Sequence, residues 1–271
     1  MNLMYITNKV DIAKYAADCG VSRIFVDLEF LGKHERQGHL DTVISEHSID
    51  DISEIRFALP SVELLVRINP LHEGTQYEID RVISEGADII MLPMFSSKED
   101  IESVGKMING RARFIPLIET KAAAENIVSY VDSPYVSEFY IGLNDLHRDL
   151  GYKFMFELLS SGYVESLIGF IKQAGKPFGF GGIACIGEGT LPASLVLAEH
   201  VRLGSSSVIL SRAFHNRSNT LSELKSKIDL KKEISKLYDE ITVLRSRDIK
   251  QMEIDKQSLA EIVKKIVVEI K

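Results

Sequence analysis

The amino-acid sequence predicts an α/β fold, a (β/α)₈ TIM barrel with additional C-terminal helices. Two observations carry this expectation. Eight short apolar runs alternate, nearly to the end of the chain, with stretches whose apolar residues recur at three- and four-residue spacing. No GxGxxG follows the first run, which weakens the alternative of an open, dinucleotide-binding sheet. A chain of 271 residues can build such a barrel as one domain.

The candidate strands lie at residues 3–7, 23–29, 63–68, 88–92, 113–118, 138–142, 177–182 and 206–210. Runs this apolar suit a parallel sheet buried on both faces. Between them, "DIAKYAADCG", "IDDISEIRFAL", "YEIDRVISEGA" and "KEDIESVGKMI" read as helices. Gly20, Gly86 and Gly175 stand where a helix gives way to the next strand, as expected of C-terminal caps.

From about Leu221 the chain changes character. "LSELKSKIDLKKEISKLYDEITVLRSRDIK" reads as one long charged amphipathic helix, in which Leu230, Ile234, Leu237, Ile241 and Leu244 step by four and three. Asp248 and Gln251 then fall on that seam, and "SLAEIVKKIVVEI" reads as a closing helix. The expected organisation is a catalytic barrel over 1–220 and a helical extension over 221–271. Two fates are open to the stripe: it covers the barrel's own flank, or it packs on a second copy in a homo-oligomer.

Composition narrows the partners. The net charge of −7, from 32 basic and 39 acidic side chains, disfavours nucleic acid and anionic membrane, which select for basic surfaces. Cys19 and Cys185 are too far apart for any CxxC-type metal or redox motif. Lys9, Asp11 and Lys14 interrupt the N-terminal stretch, so no signal peptide is visible, and no apolar run is long enough to span a bilayer. The expected location is cytoplasmic.

In a barrel of this class, function sits at the C-terminal ends of the strands. Those ends carry Asp27 and Glu29, Arg67 and Asn69, Glu119, and Asn144 with Asp145. Glu119 and Asp145 are 26 residues apart, one βα unit, and so belong to adjacent strand ends. Two carboxylates there repel each other unless a cation or a proton lies between them. Oxygen ligands completed by water or substrate suit Mg²⁺ or Mn²⁺ better than zinc. The competing reading has Asp145 capping the helix at "LHRDLG" and Glu119 paired with Arg67. For Arg67 the bland reading is a structural ion pair with Glu119 or Asp27.

The stretches "RIFVDLE", "LLVRIN", "GADIIMLPMF", "FIPLIET" and "FYIGLNDLHRDLG" resemble, in order and spacing, the HpcH/HpaI aldolase and citrate lyase family over about residues 24–214. The resemblance implies a barrel of the pyruvate kinase and phosphoenolpyruvate mutase type. It implies a divalent metal, Mg²⁺ or Mn²⁺, held by Glu119 and Asp145, and an Arg67 that faces the substrate's oxo or thioester oxygen. It also implies oligomers. Gly142, Leu143 and Asn144, in the same connection as Asp145, are the expected substrate-binding residues.

The sequence departs from the family at one place. The aldolase branch has "DxEH" after the second strand; here Asp27 and Glu29 match, but Phe30 stands where the histidine would be. The "DLED" of the citrate lyase and malyl-CoA lyase branch is absent too. The acid–base role then falls to metal-bound water, to Asp27 or Glu29, or to a residue of the following segment, where His34 comes first among His34, Arg36, His39 and His47. Lys33 and Arg212 are placeable near the mouth beside Arg67, and "GFGGIACIGEGT" and "RLGSSSVILSR" could offer backbone amides to an anion. The expected activity is that of a metal-dependent class II-type aldolase acting on an aldehyde and pyruvate or a similar 2-oxo acid, through a metal-bound enolate. The alternatives are a CoA-thioester lyase and a barrel that binds a ligand without turnover.

Overall fold

The computed structural model describes residues 1–31 and 47–270. Eight parallel strands close into a barrel in sequence order, β1 pairing with β8. They are β1 (Asn2–Ile6), β2 (Arg23–Asp27), β3 (Glu63–Arg67) and β4 (Ile89–Leu92), then β5 (Arg113–Ile118), β6 (Phe139–Ile141), β7 (Phe178–Ile183) and β8 (Ser207–Leu210). Each falls on an expected run. The helices between them begin where side chains satisfy the first backbone amides. At helix Lys98–Ile108, Ser97 Oγ accepts the Asp100 N–H at 3.2 Å, and Asp100 Oδ2 accepts the Ser97 N–H at 3.0 Å. Gly86, at φ +110°, ends its helix in a backbone conformation that a side chain would strain.

Side-chain alternation builds the interior. Leu3, Tyr5, Ile24, Val26, Leu64 and Val66 face outward, into the apolar layer beneath the helices. Met4, Phe25, Leu65, Ile89, Met91, Ile115, Leu117 and Tyr140 face inward and fill the middle of the barrel. The bulk of Tyr140 demands space from β7. A Cβ on Gly179 would lie 2.4 Å from the Tyr140 ring and as close to Ser207 Oγ. The Tyr140 hydroxyl donates to the Gly181 carbonyl at 2.7 Å and accepts the Ile209 N–H at 2.9 Å, so this buried polar tip is paired.

Two residues toward the N-terminal ends, the same inward parity gives a polar floor. Arg23 donates through Nε to Glu63 at 2.7 Å and through Nη1 to Glu138 at 2.8 Å. Arg113 reaches the other Glu63 oxygen at 2.7 Å, and the Ser207 hydroxyl donates to Glu138.

The C-terminal segment corrects one expectation. The long helix is broken: Leu221–Lys227 and Leu230–Arg245 are separate, and Ile249–Glu269 follows. The breaks lie at aspartates. Asp229 accepts the Lys232 N–H at 3.1 Å and Asp248 accepts the Gln251 N–H at 2.8 Å, each starting a new helix. The seam residues Leu230, Ile234, Leu237, Ile241 and Leu244 are all buried within the chain itself, in one core with the barrel's outer layer. Among the described residues, no helix is long and apolar enough to cross a membrane.

Candidate active site

Continuing the inward parity past the middle layer leads to the mouth. Asp27 follows Phe25 by two residues, Arg67 follows Leu65, and Glu119 follows Leu117. The register of β2 against β3 sets Asp27 beside Arg67. Their side chains meet in a two-point pair, Arg67 Nε to Asp27 Oδ1 and Nη2 to Oδ2, both at 2.8 Å. Glu29 Oε2 lies 3.3 Å from the same Nη2, and the guanidinium carbon stands 5.6 Å from the centre of the Phe25 ring. Burial alone would lower the Arg67 pKa; the charges of Asp27, Glu29 and Glu119 outweigh it and raise it, so the guanidinium stays charged. Arg67 thus forms the ion pair with Asp27 that the sequence left open, and Nη1 makes no hydrogen bond among the described residues.

Glu119 is buried at the end of β5, and its Oε1 accepts the Met94 N–H at 3.0 Å. Met94 has φ +53°, a left-handed backbone rare outside glycine and asparagine, and this turn aims its amide at the carboxylate. The β5–β6 register pairs Ile118 with Ile141, which brings Gly142 beside Glu119. A Cβ on Gly142 would meet Glu119 Cβ at 2.9 Å and Oε2 at 3.0 Å, so only glycine leaves the carboxylate where it is. Burial first, then the charges of Glu29 and Asp145, push the Glu119 carboxyl up to about 8, against the pull of Arg67 and the Met94 amide.

Asp145 sits in the first turn of helix Leu143–Asp149, whose N-cap is Gly142; it does not cap that helix. Arg148 Nη1 approaches its Oδ1 only to 4.0 Å. Among the described residues, no three His, Cys, Asp or Glu side chains form a metal cage. A glutamate that burial first, and then the charges of Glu29 and Asp145, push toward protonation is nevertheless a site that a cation would relieve. The two oxygens fit a hard divalent ion that keeps other positions for water or substrate. The donor set therefore suits Mg²⁺ or Mn²⁺.

The other expected residues are distributed unevenly. The Gly142 N–H donates to the Ile118 carbonyl at 2.9 Å and is used by the barrel, while the Leu143 side chain is buried against Gly181. Asn144 Oδ1 accepts from Arg148 at 3.4 Å. Phe30 is 58% exposed and offers no acid–base group. Lys33, His34, Arg36 and His39 lie outside the described residues. His47 Nδ1 accepts the Asp27 N–H at 2.9 Å, which places a histidine at the end of β2 after all. Arg212 opens the short turn Arg212–Phe214 behind β8.

Sequence reasoning passed over Met94 and Glu78. Nothing in "LPMF" announces a left-handed methionine. Glu78 did leave a signal, since Thr75, Glu78, Ile79 and Val82 share the buried face of helix Thr75–Ser84. A carboxylate on an apolar face calls for buried donors.

Comparison with known proteins follows the same lines. Residues 46–158 match the model of the HpcH/HpaI aldolase/citrate lyase family. The matched segment contains Arg67, Glu119 and Asp145 and stops short of Asp27 and Glu29. The structure of an HpcH/HpaI aldolase from Desulfitobacterium hafniense DCB-2 is 16% identical, with 92% of this chain and 94% of that one covered and a TM-score of 0.58. An HpcH/HpaI aldolase/citrate lyase family protein from Burkholderia cenocepacia J2315 is 14% identical over 84% of this chain and 95% of its own, at a TM-score of 0.61. The citrate synthase SbnG is 16% identical over 83% of this chain and 92% of its own, also at 0.61. At such identities the likeness is one of fold. No curated protein matches the chain.

Proposed function

We propose that the chain is a carbon–carbon lyase that makes or breaks the bond beside the carbonyl of pyruvate or a similar 2-oxo acid, with an aldehyde as the second partner. The observation that carries this reading is the pairing, in one barrel mouth, of a fixed guanidinium with the buried carboxylate Glu119 and its neighbour Asp145. A 2-oxo acid brings a carboxylate and a keto oxygen, both of which need positive charge. Glu119 and Asp145 would hold Mg²⁺ or Mn²⁺, which when bound polarises such a carbonyl and is worth several kcal/mol of charge stabilisation.

The residues divide the remaining work. Asp27 holds Arg67 by two bonds and so acts as its positioning group. Arg67 keeps Nη1 for the keto oxygen, which gains charge as the methyl proton leaves. Glu29 touches Arg67 by a single, longer contact of 3.3 Å and is the carboxylate better placed to take that proton. The resulting carbanion adds to the aldehyde, and cleavage is the reverse.

The test is deuterium incorporation into the pyruvate methyl group in D₂O with Mg²⁺, followed by NMR. Wild type should exchange, and Glu119→Ala should lose both exchange and the thermal stabilisation that added Mg²⁺ provides. Full exchange in Glu119→Ala with the metal effect intact would remove the ligand assignment. Exchange of acetyl-CoA but not pyruvate would move the reading to a thioester lyase. Exchange of neither would leave a ligand-binding barrel.

A further inference from the structure

A hydrogen-bond relay outside the proposed reacting groups runs through the loop after β3. The Asn69 amide is buried and fixed at both ends. Its Oδ1 accepts the backbone N–H groups of Phe30 and Leu31, each at 3.0 Å. Its Nδ2 donates to Glu78 Oε1 at 2.8 Å, and that oxygen also accepts the Asn69 N–H at 3.1 Å. The second Glu78 oxygen lies 3.1 Å from His72 Nε2. His72 Nδ1 accepts the Gly74 N–H at 3.1 Å, so the ring proton sits on Nε2 and points at Glu78. Thr75 Oγ1 accepts the His72 N–H at 2.8 Å. A Cβ on Gly74 would stand 2.9 Å from His72 Cε1, so the loop is shaped around this ring.

We infer that Asn69 and Glu78 are positioning residues that hold Glu29 against Arg67. This rests on the reading of Glu29 and Arg67 as groups of the substrate site. The argument is one of donors and acceptors. An ionised carboxylate only accepts, so Glu78 turns the NH₂ of Asn69 toward itself and leaves the amide oxygen for the two backbone donors. Leu28 is anchored in the core, but the Phe30 and Leu31 side chains are exposed, and the Asn69 oxygen pins their backbone. The Glu29 N–H donates to Asp27 Oδ1 at 3.3 Å, and the two amides that follow it are the ones the Asn69 oxygen accepts. Asp27, inside the strand and across from Arg67, keeps its place without the relay.

Three variants test this: Asn69→Asp, Glu78→Gln and the two combined. Asn69→Asp keeps an acceptor for Phe30 and Leu31 but sets a second carboxylate against Glu78. Adding Glu78→Gln removes that repulsion and supplies a donor. Asn69→Asp should lower kcat for pyruvate exchange by roughly tenfold, the scale of a displaced reacting group, with KM little changed. The double variant should recover most of that loss. Amide hydrogen exchange at Phe30 and Leu31 gives a readout independent of activity: faster in Asn69→Asp, restored in the double variant. Unchanged amide exchange in Asn69→Asp would overturn the relay. Faster amide exchange with kcat intact would overturn the positioning role. A wild type without pyruvate exchange would fail the lyase reading, and the positioning role with it, while the amides still report on the relay.

Discussion

Gly142 and Glu119 share space so closely that one methyl group decides between them. The Gly142 backbone, at φ −85° and ψ 98°, accepts alanine without strain, so the consequence of Gly142→Ala falls on the Glu119 carboxylate. We expect a modest loss of stability, about 1–3 kcal/mol from overpacking, and a larger loss of Mg²⁺-induced thermal stabilisation. A full metal effect in the variant would show that Glu119 need not sit where it does. His200 supplies the pH dependence. It is buried on helix Ala193–Leu203, stacked 3.8 Å from Phe180, and among the described residues neither ring nitrogen has a hydrogen-bond partner. Burial lowers its pKa to about 3. Below the ordinary histidine value the unfolded chain takes a proton that the folded chain refuses, so stability falls as pH drops from about 6.5 toward 3. Between pH 7.5 and 5 this amounts to about 2 kcal/mol, and His200→Leu should flatten that limb in urea midpoints measured at both pH values. Glu119 was legible in the sequence because it ends a buried run at the face where such barrels do chemistry. Met94 was not, because its role depends on a backbone angle that no residue type announces. His47 was one histidine among several until the fold set it against the Asp27 amide.

The strands were legible as elements because apolar runs buried on both faces leave little else to fit, and the helices between them ended at readable caps. The C-terminal segment was misread for a definite reason. Apolar periodicity runs on through Asp229, so the pattern alone reports one helix, while the aspartate's competing bond to the Lys232 N–H restarts it. At Asp248 the seam visibly fails, and the same event explains it: the residue that looked like a fault in a coiled coil is an N-cap. The seam is covered by the chain's own core, which assigns its leucines to stability. Leu237→Ala should cost about 2–5 kcal/mol, as for other fully buried leucines, and Asp248→Ala about 1 kcal/mol for the lost cap. Val243, on the exposed side of the same helix, is the control, and its replacement by alanine should leave the urea midpoint nearly unchanged. Equal effects at Leu237 and Val243 would mean that the helix packs by another face.

Across the whole molecule, a single inward parity along each strand yields three layers: a charged floor, an apolar waist and a charged mouth. Floor and mouth contain the same chemistry, arginines and carboxylates, and their arrangement separates their roles. At the floor, Arg23 bridges Glu63 and Glu138, and Ser207 donates to the second Glu138 oxygen, so the buried charges on this face answer one another. At the mouth, Arg67 pairs with Asp27 and Glu29, and Glu119 is pushed above the usual carboxylate range first by burial and then by the charges of Glu29 and Asp145. Arg23→Met tests that division. It leaves Glu138 buried beside Ser207 without its cation, and breaking a buried pair from one side costs about 3–5 kcal/mol. Phe25 and the rest of the apolar waist stand between Arg23 and the substrate groups, so kcat for pyruvate exchange should change by less than about twofold, well under 1 kcal/mol of barrel-mouth energy. The measurements are the urea midpoint and the exchange rate in the same preparation, below the unfolding transition. A lost exchange rate with an unchanged midpoint would mean that the floor speaks to the mouth through the waist, and the layers would then have to be read as one network.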